Sequence, residues 1–151
     1  MPSQAVTLLF AERPSFNFSD LARRAEEIAG DEFDYPTFGN YRESFQIFHR
    51  NHQVRYVDGN LMPSLTAFLT TGKATDVENY RSIIEQSWGC NNAEDLVRSA
   101  RYSLLMTEMM ADGLDPRVRL SLFHDILQAA IEIAQPQAIV FHHSQQVIAA
   151  F

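Results

Sequence analysis

A chain of 151 residues with 46% hydrophobic content and eleven Phe has the length of one domain and the material to fill its core. A formal charge of −7 speaks against a nucleic-acid or anionic-membrane surface, because both recruit phosphates with a net basic face. Cys90 is the only cysteine, which excludes an intramolecular disulfide framework and a cysteine zinc cluster and fits a reducing, cytoplasmic setting.

The opening "MPSQAVTLLFAERPSF" has no basic leader region, and its apolar run is too short for a signal sequence or a membrane span, so a soluble, unprocessed protein is expected. Ala5 to Phe10 reads as a strand buried on both faces and central in a sheet. In "NFSDLARRAEEIAG", Asn17 or Ser19 can cap a helix, Leu21, Ala25 and Ile28 recur at helical spacing, and Gly30 supplies the stop. An acidic run follows, from Glu26 and Glu27 to Asp31, Glu32 and Asp34, with Tyr35 and Phe38 just beyond it.

Ser44 to Phe48 and Gln53 to Val57 alternate as two strands of a hairpin joined by "HRNHQ", with Asp58-Gly59-Asn60 as a further turn or a bulge. Met62 to Ala74 shows no sustained period and reads as a long surface connection. Thr75 with Glu78 forms a capping box for a helix whose inner side carries Val77, Tyr80, Ile83, Ile84 and Trp88, ended by Gly89. Asn92 with Asp95 opens a shorter helix to about Ser99, and "RYSLLMTEM" from Arg101 is a core strand. Asp115 caps the last helix with Pro116 in its first position, and Leu120, Phe123, Leu127, Ala130 and Ile131 line one face up to Gln135. Arg119 falls near the middle of that stripe, and His124 at its edge. The final strand holds "IVFHHSQQV". The order β-α-β-β-α-α-β-α-β predicts one α+β domain over 1–151, a two-layer sandwich in which a mixed sheet of about five strands, including one hairpin, carries helices mainly on one face.

No linear pattern carries a reaction. His142 and His143 point to opposite faces of a regular strand and cannot share one metal ion, and no HExxH is present. Ser144 has no nucleophile elbow, Cys90 follows a helix C-terminus that disfavours a thiolate, and "TTGKAT" around Lys73 lacks the glycine of a phosphate loop. The sequence therefore gives no cofactor and no metal site. Two constellations remain. Glu26, Glu27, Asp31, Glu32 and Asp34 beside Tyr35 and Phe38 would steer and hold a basic protein partner, against the plainer reading of a solvated helix end. Arg101, Glu108, Gln145 and whichever of His142 and His143 points inward would line a polar pocket at the sheet end in a small enzyme or ligand-binding protein.

From about Ser44 onward, "VRYVDGNLMPS", "QSWGCNNAEDLVRSARYSLLMTEM" and "LFHDILQAAIEIAQPQAIVFHHSQQVI" resemble, in order and spacing, a bacterial family known as domain of unknown function 4261. The segment before the acidic helix is richer in tryptophan in that family, whereas Trp88 stands alone here. The resemblance implies a bacterial cytoplasmic protein and brings no reaction or catalytic residue. Together these readings favour a non-enzymatic module that binds a protein partner, such as an immunity-type factor neutralising a basic toxin. The polar-pocket enzyme and a homodimer paired through exposed apolar surface stand as rivals.

Overall fold

The computed structural model describes residues 3–36, 44–70 and 77–150. Its elements are β1 (Ala5–Phe10), α1 (Phe18–Ala29), β2 (Ser44–Arg55), β3 (Leu61–Thr70), a 3-10 turn (Val77–Tyr80), α2 (Arg81–Gln86), α3 (Ala93–Ser99), β4 (Tyr102–Met109), α4 (Pro116–Ala134), β5 (Ala138–Phe141) and β6 (Gln146–Ala149). Six strands form one sheet in the order β2-β3-β4-β1-β5-β6, so the fold is α+β and β1 is internal, as its apolar run predicts.

Every neighbouring pair in the sheet is antiparallel, which corrects the expected mixed sheet of five strands. Helices recurring between strands usually signal parallel neighbours. Here β4 and β5 do run the same way, but β1 lies between them, so α4 joins strands that never pair directly. The sixth strand comes from "IVFHHSQQV", which is a hairpin and not one strand. Val140 pairs with Val147 and Phe141 with Gln146 around a turn, and Gln145 takes a left-handed φ of 53°.

Two further expectations fail in β2 and β3. "HRNHQ" is no turn: β2 continues through it, and the register against β3 shifts between His49 and Gln53 as in a bulge. The turn is at Tyr56 to Asn60, where Gly59 at φ 86° supplies the left-handed residue. Leu61 to Thr70 is a strand and not a surface connection. Ser64, Thr66 and Phe68 face the α1–α4 core, and Leu65 and Ala67 on the opposite face are buried as well, with only Leu61, Met62 and Leu69 exposed, so burial on both faces and polar residues inside hid the period-two signal. Pro63 is tolerated because it sits opposite Gln53, beside the bulge, where the ladder is already interrupted.

The helices lie mainly on one face, where α1 and α4 cover Val6, Leu8, Phe10, Phe45, Ile47, Phe68, Leu104 and Met106. Phe18 stacks on Phe45 at 5.0 Å and tilts against Phe68 at 5.6 Å, and each fully buried side chain of this kind contributes roughly 1.5–3 kcal/mol. α1 is capped by Asn17 and stopped by Gly30 in the left-handed region, as its sequence predicts. In α4 the Asp115 cap and Pro116 also match expectation, but the inner stripe runs Arg119, Leu122, Phe123, Ile126, Leu127 and Ala130, leaving Leu120 and His124 exposed.

The short helices cover the other face at the β1-β5-β6 end. There Leu9, Ala138, Val140 and Val147 pack under Ala93 and Val97 of α3, with Tyr80, Ile83 and Ile84 alongside. Trp88, expected on the inner side of its helix, is 88% exposed, because α2 ends at Gln86 and the chain turns away before it. Thr75 and Lys73 lie outside the described residues. No described helix is long and apolar enough to cross a membrane.

Candidate functional site

The acidic run is built by the way α1 ends. Gly30 turns the chain out of the helix, and the segment after it lies along the outer edge of β2, where the Asp34 and Phe48 backbones exchange hydrogen bonds at 2.9 and 2.8 Å. Glu26 holds the return from inside: one oxygen accepts from the Tyr35 hydroxyl at 2.7 Å and the other from the Phe33 amide at 3.0 Å. Tyr35 is therefore half-buried and not an exposed ring, and burial followed by the Glu26 bond pushes its phenol up to about 12. Phe38 lies outside the described residues.

Asp31, Glu32 and Asp34 meet β2. Burial works against the charged form of Asp31, but donation from Asn51 at 2.6 Å, the Glu32 amide and His52 at 3.1 Å outweighs it and holds the carboxyl below its ordinary value. Arg50 forks onto Asp34 and reaches Glu32 at 3.1 Å, which also depresses the Asp34 carboxyl. Arg24 bridges Glu27 at 2.9 Å and Glu132 of α4 at 2.6 Å. The bulge in β2 is what makes this docking work, since it aims Arg50, Asn51 and His52 at a loop that a regular strand would serve with only alternate side chains. Beside the loop, Arg23, Glu26, Glu27, Gly30, Asp31, Glu32 and Asn51 line an open depression of about 480 Å³.

The alternative constellation does not converge. Glu108 and His142 share one end of the sheet, since the Glu108 amide bonds Gln4 and the His142 amide bonds Ala5, but their side chains lie on opposite faces. His142 Nε2 meets Thr7 Oγ1 at 2.6 Å on the α3 face, and burial lowers its pKa. His143 is exposed in the turn, Gln145 accepts from Gln86 at 3.2 Å, and the Arg101 amide bonds Phe10 at the far end of β4. Among the described residues no three His, Cys, Asp or Glu side chains gather as metal donors would.

The polar cluster that sequence reasoning missed is inside the core. Arg119, 3% exposed, donates to Glu108, 5% exposed, at 2.6 Å, and Gln4 donates to the same carboxylate from its backbone at 2.8 Å and its amide at 3.2 Å. Beside them His49 Nε2 meets Thr66 Oγ1 at 3.0 Å, and Ser64 donates to the His52 carbonyl at 2.9 Å. These groups surround a cavity of about 10 Å³, the scale of a single water. That size accommodates no metabolite, and the cluster fastens α4 to β4 and to the segment before β1, with β2 tied to β3 beside it. Arg119 within an apolar helix stripe was its one visible signal. No family model, no curated protein and no solved structure matches the chain.

Proposed function

We propose that the protein is a non-catalytic binding module that engages a basic segment of a protein partner at the end of α1. The observation that carries this reading is the 480 Å³ depression lined by Glu26, Glu27, Asp31 and Glu32, with Arg23 as its cationic wall. The last turn of α1 contains no basic residue, so its carboxylates sit beside the negative end of the helix dipole. A guanidinium or ammonium group entering there relieves both the mutual repulsion of the acids and their clash with the dipole. The side chains of Glu27 and Glu32 are 59% and 78% exposed, so they remain available to a partner although Arg24 and Arg50 share them. Asp31 and Glu26, held by their internal bonds, shape the floor.

The test is titration of an arginine-rich peptide followed by calorimetry at low and high salt. Binding is expected to weaken several-fold with salt, and to weaken again in the Glu27→Gln/Glu32→Gln double variant, because the attraction is between partly solvated charges. Binding that is absent, or that ignores both the salt and the double substitution, removes the proposal.

A further inference from the structure

The chain contains two Asp-Gly pairs, Asp58-Gly59 and Asp112-Gly113, and the fold treats them in opposite ways. An aspartate followed by glycine can close on itself, because the glycine carries no β-carbon to shield its amide nitrogen from the neighbouring carboxyl. Whether the ring closes depends on what else the amide and the carboxyl are bonded to.

At the first pair both reacting groups are engaged. The Gly59 amide donates to the Tyr56 carbonyl at 2.9 Å, and Asp58 accepts from the Asn60 amide at 2.9 Å and from its side-chain nitrogen at 3.0 Å. This Asx turn commits both carboxylate oxygens. At the second pair the turn is closed outside the two residues, by the Leu114 amide on the Ala111 carbonyl at 3.0 Å. The Gly113 amide has no hydrogen-bond partner among the described residues. The Asp112 side chain is 87% exposed, and its contact with Arg119 Nη1 is long, at 3.6 Å, on a guanidinium already engaged with Glu108.

We propose that Asp112 is a site of spontaneous isomerisation to isoaspartate, and that Asp58 is protected from it by its turn. The Gly113 nitrogen bonds to Cγ of the Asp112 carboxyl in its neutral form, and the Cγ–OH bond breaks. The hydroxyl leaves as water with the amide proton, which gives a cyclic imide. Water then adds to the carbon that was the Asp112 main-chain carbonyl, the bond from that carbon to the Gly113 nitrogen breaks, and the nitrogen takes a proton from the water. One water leaves and one returns, so no oxidant or cofactor is needed. The main chain now runs through Cβ and Cγ of Asp112, one carbon longer inside the turn, and the α-carboxylate is free. Gly113 has little room to move toward β2, since a Cβ on it would stand 2.6 Å from Val54 Cγ1. The lengthened turn therefore loosens the start of α4, where Asp115 accepts from the Arg117 and Val118 amides.

The test is incubation of the full chain at physiological temperature, folded and in parallel in concentrated urea, followed by peptide mapping with fragmentation that distinguishes the two linkages. In the folded chain isoaspartate should accumulate at Asp112 several-fold faster than at Asp58, and the difference should collapse in urea, where neither turn persists. Hydrogen exchange at the Arg117 and Val118 amides should quicken in the isomerised fraction. A folded chain in which Asp112 stays unmodified, or reacts no faster than Asp58, overturns the proposal. So does a preference for Asp112 that persists unchanged in urea, since the flanking sequence and not the turn would then set it.

Discussion

Arg119 of α4 donates to Glu108 of β4 at 2.6 Å with both side chains almost wholly out of solvent, and the pair is the main polar link between the long helix and the sheet. Removing one partner leaves the other charge buried, which costs about 3–5 kcal/mol, whereas replacing both with apolar residues removes the desolvation penalty together with the attraction. Arg119→Leu and Glu108→Leu should each lower urea-unfolding stability by that amount. The double variant should lose less than either single one. Strictly additive losses would mean that the two groups do not depend on each other.

His49 makes stability depend on pH. Burial is the largest cause pushing its imidazole down from 6.5 to about 4; His52 adds to the effect and Asp31 opposes it. The unfolded histidine takes up a proton below about pH 6.5 and the folded one only near 4, so between these values the unfolded state binds more protons. This contribution is fully present above pH 6.5 and is lost as the pH falls toward 4, by at most a few kcal/mol in total. His142, also lowered by burial, acts in the same direction. Unfolding titrations of the wild type and His49→Leu over this window should show a shallower slope in the variant, with the remainder due to His142 and the carboxylates.

Gly113 is required by a close approach. A Cβ there would stand 2.6 Å from Val54 Cγ1, inside any real carbon–carbon contact. Gly113→Ala should destabilise by about 1–3 kcal/mol, the usual cost of overpacking. Val54→Ala in the same chain should recover part of that loss although it is harmful alone, a coupling readable from a double-mutant cycle.

Arg50 holds the acidic loop to β2 through Asp34 and Glu32, on the solvent side. Exposed pairs contribute little to global stability, so Arg50→Ala should shift the melting point only slightly. Hydrogen exchange at the Asp34 and Phe48 amides should nonetheless accelerate, since the loop loses its clamp. In the proposed binding role, the same substitution frees two carboxylates and should tighten the arginine-rich peptide a few-fold. Unchanged exchange at both amides would mean that Tyr35, Glu26 and the backbone bridge suffice to hold the loop.

Elements specified by local chemistry were legible from residue types alone. Asn17 and Gly30 bound α1, Asp115 with Pro116 opens α4, and the apolar run from Ala5 to Phe10 is an internal strand, because caps, left-handed stops and unbroken burial act over a few residues. Elements whose pattern is set by a neighbour were not legible. Leu61 to Thr70 presents Ser64 and Thr66 to the core, which makes sense only once His49, Glu108 and Arg119 supply their polar surroundings. The antiparallel sheet follows from β1 entering between β4 and β5, a long-range choice without a local mark.

For function, the sequence by itself determined the negative balance and the clustering of acids at the end of α1. The tertiary structure decided what those acids do: a bulge in β2 delivers Arg50, Asn51 and His52 to them, so part of their charge is spent inside the fold and the rest faces one depression. It also separated Glu108 from His142, which share a sheet end but lie on opposite faces, because side chains alternate across a sheet whatever their distance along the chain.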